Sequence, residues 1–279
     1  MAKTAIWLYT DVPVTKKAGI LRRMAAPYRR SPGYFTWATL ALATLGGARP
    51  VAAQQAISYL SNAGSDSGNC SYTAPCGTLA AAVNATGDNG QVVVMNSGAY
   101  GHATLSRSMT IRGEGGPVGI IGEVFISGPA TTHVLIEDIN FEGTTSGTNG
   151  YAYGVYVYQG QEVVVRNSRF RGYLSAGVRV APTVAVRVTL DNCSFVSNPV
   201  GILDDNPAGG GHIKLFRSTL IGNSDAGVRV SGLGNDVLIQ GSRVLGSAKA
   251  LDIINGATAR SYGDNVLTNG DAPLLSPLN

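Results

Sequence analysis

Six times between Ile136 and Leu274 the chain returns to one short pattern, at intervals of 22 to 29 residues. Aligned on a bulky apolar position, the copies read DINFEG (Asp138–Gly143), NSRFRG (Asn167–Gly172), NCSFVS (Asn192–Ser197), RSTLIG (Arg217–Gly222), GSRVLG (Gly241–Gly246) and GDNVLT (Gly263–Thr268). The bulky column is Phe141, Phe170, Phe195, Leu220, Val244 and Val266. A unit this short cannot bury an apolar face by itself and must stack on its neighbours, so the period predicts a solenoid. It constrains chemistry far less, because a solenoid is a scaffold on which a site is placed.

Within a repeat, three short strand-like pieces alternate with turn residues. Val188-Thr189-Leu190 alternates apolar, polar, apolar, as a half-buried strand does. Asp191-Asn192 turns the chain, Ser194-Phe195-Val196 forms a second strand, and Gly201-Ile202-Leu203 a third after Ser197-Asn198. Three strands in 22 to 25 residues describe one coil of a parallel β-helix. The turn after the first strand holds Asp138, Asn167, Asn192, Arg217, Gly241 and Gly263. Gly, Asn and Asp tolerate positive φ, so a bend recurring at that place is expected, with Arg217 as the exception. The turn after the second strand holds Asn198, Asn223 and Asn269, with Tyr173 and Ser247 between them. Asparagines stacked at a strand spacing of about 4.8 Å can hydrogen-bond from coil to coil. Cys193 shares a column with Ser168, Ser218 and Ser242, where a small side chain is wanted, and is read as a packed free thiol.

A leucine-rich repeat has a similar period, but its LxxLxLxxN signature is absent and Val and Gly outnumber Leu. Glycine density and the lack of a 3.6-residue apolar stripe exclude helical repeats. The pattern resembles the right-handed parallel β-helix superfamily, the pectin lyase-like fold, over roughly Ile57 to Leu275. The opening segment strengthens the likeness: YLSNAGSDSGNCSYTAPCGTLAAAVNAT (Tyr59–Thr86), then VVVM (Val92–Met95) and SGAYG (Ser97–Gly101). Thr78 can cap a helix whose Leu79, Ala82 and Val83 face one way, with Gly87 ending it. In that superfamily such a helix closes the open end of the core. The expected fold is therefore all-β, a single-stranded right-handed parallel β-helix of about seven or eight coils with an N-terminal capping helix.

The formal charge of +4 misleads. Eight basic residues precede Gln54, and the remainder carries 13 basic and 16 acidic residues. That acidic excess argues against nucleic acid as a partner. Residues 1–53 read as a leader with a start at Met24 and a signal peptide over 24–53. Arg29-Arg30 is its basic region, Tyr34–Leu45 its apolar run, and Val51-Ala52-Ala53 its cleavage site. The apolar run is too short to span a bilayer comfortably, so no stable membrane insertion is expected after cleavage. Residues 54–279 form the β-helix domain of a secreted or periplasmic protein. Cys70 and Cys76 close a short loop at its head, and a disulfide there suits an oxidising compartment.

The resemblance places a substrate along the outer face of one parallel sheet. The third strands, GVYV (Gly154–Val157), GVRV (Gly177–Val180), GILD (Gly201–Asp204), GVRV (Gly227–Val230) and ALDI (Ala250–Ile253), then project Tyr156, Arg179, Leu203, Arg229 and Asp252 outward. A second outward column is Tyr158, Ala181, Asp205, Ser231 and Ile254. Arg clamps a uronate carboxylate with two hydrogen bonds. The substrate-binding candidates are Tyr156, Tyr158, Asp205 and Asp252. By likeness to polysaccharide lyases of the superfamily, Arg179 or Arg229 would be the catalytic base, which requires an unusually lowered pKa. Asp204 and Asp205 are candidate Ca²⁺ ligands, Ca²⁺ needing six to eight oxygens. The superfamily's hydrolases offer a poorer template, since Asp204-Asp205 and Gly211-His212 lie too close in sequence. His102, His133 and His212 fall in separate repeats and form no spaced metal set. Tyr151, Tyr153, Tyr156 and Tyr158 crowd one edge of the insertion Thr144–Tyr153, and aromatic faces stack on sugar rings. The expected protein binds an acidic polysaccharide, and cleavage by β-elimination is the activity that the likeness to lyases would imply if it is an enzyme. The alternative is a non-catalytic surface or matrix solenoid.

Overall fold

The computed structural model describes residues 54–143, 150–206, 209–268 and 276–277. The leader over 1–53, part of the insertion at 144–149, and Asn269 lie outside the described residues. The described chain winds as a parallel β-solenoid of about seven turns, with three strands to a coil. The first face is a ten-stranded parallel sheet. It includes Thr86–Val94, Met109–Gly113, His133–Glu137, Glu162–Arg166, Val186–Asp191, Gly211–Phe216 and Asp236–Gln240. The second face stacks Ile139–Glu142, Arg169–Arg171, Ser194–Val196, Thr219–Ile221 and Arg243–Leu245. The third stacks Tyr153–Gln159, Ala176–Val180, Val200–Asp204, Ala226–Ser231 and Lys249–Ile254. The long strand Val118–Ser127 joins these last two, pairing Ile139–Glu142 with its first half and Tyr153–Gln159 with its second.

The repeat pattern has its physical cause inside the coil. Phe141, Phe170 and Phe195 are fully buried, and their rings stack at 5.0 Å between centroids with 7° between planes. Four of the third strands carry glycine at their second position because the corner there is filled: a Cβ on Gly177 would meet Phe195 Cδ1 at 2.8 Å and Phe170 Cβ at 2.9 Å. The first turn column is left-handed throughout, with φ of 57° at Asp138, 51° at Asn167, 52° at Asn192, 57° at Gly241 and 83° at Gly263. Arg217 adopts it too, at φ 46°, and its guanidinium donates to Asp191 one coil back. Geometry common to every coil thus overrides the residue's own preference. A second left-handed column follows the second strand, at Gly172, Ser197, Gly222 and Gly246.

The polar ladders form as well. Asn198 Nδ2 donates to Asn223 Oδ1 at 3.2 Å, and Asn198 Oδ1 accepts from the Tyr173 backbone N–H at 3.1 Å. The Ser218 hydroxyl accepts from the Cys193 N–H at 3.0 Å, while Ser242 accepts from the Ser218 N–H at 3.1 Å. Cys193 is buried and reduced, and burial pushes its thiol up to about 12.

At the N-terminal end the edge strand Gln55–Leu60 is covered by the Cys70–Cys76 disulfide loop, whose Cα atoms are 4.7 Å apart. Tyr59 N–H donates to Cys70 O at 2.7 Å and Cys76 N–H to Tyr59 O at 2.9 Å, so the edge is paired. The disulfide fits an extracytoplasmic setting. Among the described residues no helix is long and apolar enough to cross a membrane. The helix Leu79–Ala85 buries Leu79, Ala82 and Val83 against the first coil, and Thr78 Oγ1 accepts from Ala81 N–H at 3.2 Å. It ends differently from expectation. Thr86, in extended conformation, closes it one residue before Gly87, and Arg107 Nη2 donates to the carbonyls of Val83 and Thr86, each at 2.6 Å. A guanidinium from the next coil satisfies orphan carbonyls that a left-handed glycine would otherwise cap.

Candidate ligand face on the third sheet

The side-chain columns of the third face follow from register. Tyr156 pairs with Arg179, Arg179 with Leu203, Leu203 with Arg229, and Arg229 with Asp252. These five residues therefore share one outward column, while Val157, Val180, Val230 and Ile253 point inward with Asp204 among them. The column extends one coil further than the repeat alone indicates, because Phe125 pairs with Tyr156. Phe125, Tyr153, Tyr156 and Tyr158 are half-buried. Their rings form one continuous set. Phe125 lies 5.0 Å from Tyr156 and 5.8 Å from Tyr158, and Tyr156 lies 5.4 Å from Tyr153. Tyr151 does not join them and packs against the core instead.

Arg179 is fixed beside this set. Its Nε and Nη2 donate to the two carboxylate oxygens of Asp205, each at 3.0 Å, and Nη1 donates to the Tyr153 hydroxyl at 3.2 Å. The guanidinium carbon sits 4.8 Å from the Tyr156 ring centre and 5.2 Å from that of Tyr153. Arg229 is equally occupied: Nε donates to Asp252 at 2.6 Å, and Asp225 takes both terminal nitrogens, at 2.8 and 3.0 Å. Lys249 completes the group by donating to Asp252 at 2.7 Å. Between the arginines in the column, Leu203 packs on Ala176, Val200 and Ala226.

This arrangement bears directly on the roles expected for the arginines. Burial works to lower both guanidinium pKa values, but the hydrogen bonds and charges of their carboxylate partners outweigh it, and both end above the ordinary arginine value. A proton-abstracting arginine needs the opposite shift. Asp252 ends below the usual carboxylate value: burial raises it, while Lys249 and Arg229 hold it down more strongly.

The joint Ca²⁺ role of Asp204 and Asp205 is corrected by the alternation of the strand. Asp205 points outward to Arg179, whereas Asp204 is fully buried in the inward column, so the two carboxylates cannot converge on one ion. Among the described residues no group of three or more His, Cys, Asp or Glu is placed to hold a metal. The histidines remain apart: His133 pairs with Glu162 at 3.4 Å, and His212 with Asp236. His102 lies in register with Glu123, whose carboxyl burial raises.

Phe125, Asp225 and Lys249 belong to this face but were not singled out in the sequence. Phe125 precedes the first repeat copy, and the other two stand at strand entrances, where the outward alternation has not yet begun. A groove of about 400 Å³ lies elsewhere, on the first face, lined by Ser108, His133, Glu162 and Arg166 among others.

The family model described as the right-handed β-helix region matches residues 123–275, more than half of the chain. No curated protein and no solved structure matches it.

Proposed function

The chain belongs to the right-handed β-helix family, and on that scaffold we propose an exported, non-catalytic polysaccharide-binding protein whose contact surface is the third face around Tyr156. The observation that carries this reading is the ring set of Phe125, Tyr153, Tyr156 and Tyr158 on the outside of a sheet. Aromatic side chains buried in a core need no explanation, whereas four half-exposed rings on one outer face supply a platform for the apolar faces of sugar rings. The Asp205–Arg179–Tyr153 chain holds that platform in one conformation, which lowers the entropy lost on binding.

The paired arginines favour binding over cleavage, and they alter the ligand. A uronate would have to compete with Asp205 for Arg179, and with Asp225 and Asp252 for Arg229. A neutral chain stacking on the tyrosines meets no such competition, so the favoured ligand shifts from an acidic to a neutral polysaccharide. Export is proposed from the basic and apolar composition of 24–53 together with the disulfide.

The test is affinity electrophoresis and calorimetry against a panel of neutral and uronic-acid polymers, with ultraviolet detection of unsaturated products. Binding to a neutral polymer, weakened about tenfold or more by Tyr156→Ala/Tyr158→Ala, is expected. Unsaturated product from a uronic-acid polymer would restore the lyase reading. Binding to none of the panel would leave the solenoid as a structural or adhesive surface protein, a role that its self-neutralised charges also suit.

A further inference from the structure

One titratable group stands where neither the fold nor the ligand face needs it. The inward column of the third face runs Val157, Val180, Asp204, Val230, Ile253, so a carboxyl occupies a place that its neighbours give to aliphatic side chains. Asp204 is 0% exposed. Its Oδ1 accepts one long hydrogen bond from the Asn206 N–H, at 3.4 Å, and its Oδ2 has no partner. The site is shaped for it. A Cβ on Gly211, across the coil on the first face, would fall 1.9 Å from that oxygen.

The charges around it are already committed. Next along the chain, Asp205 is held by Arg179. From the first face, His212 is paired with Asp236, and Asp236 also accepts from Arg260. The strands on either side present Val180 and Val230. Among the described residues no cation forms an ion pair with Asp204 itself. We propose that Asp204 is a pH-sensitive joint of the solenoid, its carboxyl packing closely against Gly211 on the first face when protonated and loosening that contact when ionised.

The direction follows from linkage. Burial, aided by the charges of Asp205 and Asp236 and opposed by the Asn206 hydrogen bond and His212, raises the carboxyl from 3.8 to about 7. A carboxyl that binds its proton more tightly in the folded state contributes stability that is full below its unfolded pKa. That contribution is lost as pH rises from about 4 to about 7. The joint is therefore tight in mildly acidic surroundings and loose at neutral pH and above. Asp205 is the next residue, so the loosened corner includes the anchor of Arg179.

The experiment compares the whole protein with Asp204→Asn, which keeps the shape and cannot ionise, and with His212→Gln, which removes the neighbouring imidazole that pairs with Asp236. The wild-type melting temperature should fall across that window, and so should that of His212→Gln, whereas Asp204→Asn should be flat there. In the wild type, amide exchange at Asp205, Asn206 and Gly211, corrected for its intrinsic pH dependence, should rise at least about tenfold over the window, with Val163 and Val165 unchanged. Should Asp204→Asn fail to fold, the wild-type exchange alone decides. Parallel melting curves for the wild type and Asp204→Asn, a pH response lost in His212→Gln, or exchange that rises equally everywhere would overturn the proposal.

Discussion

Gly177 shows how closely single residues are fitted in this chain. Its missing side chain is what lets the third strand pass over Phe170 and Phe195. Gly177→Ala must push ring or backbone aside in a packed corner, and should destabilise by about 1–3 kcal/mol in chemical denaturation. The same scale holds the contrast between Asp204 and Asp252, two acids two coils apart. Asp204 is uncompensated, and its stability contribution fades as pH rises. Asp252 is held down by two cations, so its contribution is present above 3.8 and fades as pH falls below it. Strand parity, readable from the repeat, turns one inward and the other outward, and the partners that other coils deliver do the rest.

At the scale of elements, the turns are held by side chains reaching from coil to coil. Asn223 is fully buried, accepts from both the N–H and the side-chain amide of Asn198, and donates to Phe195 O at 3.2 Å. Asn223→Ala would strand these groups in the interior and should cost about 2–4 kcal/mol, more than an exposed asparagine would, as read from urea midpoints at unchanged m. The N-terminal edge depends on a different device. Removing the disulfide in Cys70→Ser/Cys76→Ser should cost about 2 kcal/mol through the short loop alone. Proteolysis should then appear first at residues 65–77, because the edge strand has lost its cover. The asparagine ladder and the disulfide were both legible in the sequence, since each rests on a repeat column or a close pair of cysteines. The Arg107 cap on the helix and the Asp66 carboxylate, which accepts from the N–H groups of Gly77 and Thr78 at 2.8 and 2.9 Å, were not. Both join segments that only winding brings together.

For the whole molecule, the outer face of the third sheet is a ledger of charges that nearly cancel. Arg179, Arg229 and Lys249 stand against Asp205, Asp225 and Asp252. Recognition through the tyrosine platform should therefore be almost independent of ionic strength, with affinity for a neutral polymer changing less than about threefold between about 0.05 and 0.5 M salt. A steep loss of affinity with salt would mean that the arginines release their carboxylates to grip an anionic chain.

The sequence by itself determined the solenoid, its three strands per coil, the left-handed bend and the identity of the outward column. All of these follow from period, parity and the few residues that tolerate positive φ, and they repeat often enough to be read without coordinates. Only the tertiary structure decided what that column can do. Whether Arg179 is a free base or a paired strut depends on Asp205 being one coil away at hydrogen-bond distance, and whether Asp204 finds a partner depends on what the neighbouring coils bring to it. A repeat specifies its own stacking because every coil restates it. The contacts between unlike residues on successive coils are stated once, and exist only after the chain has wound.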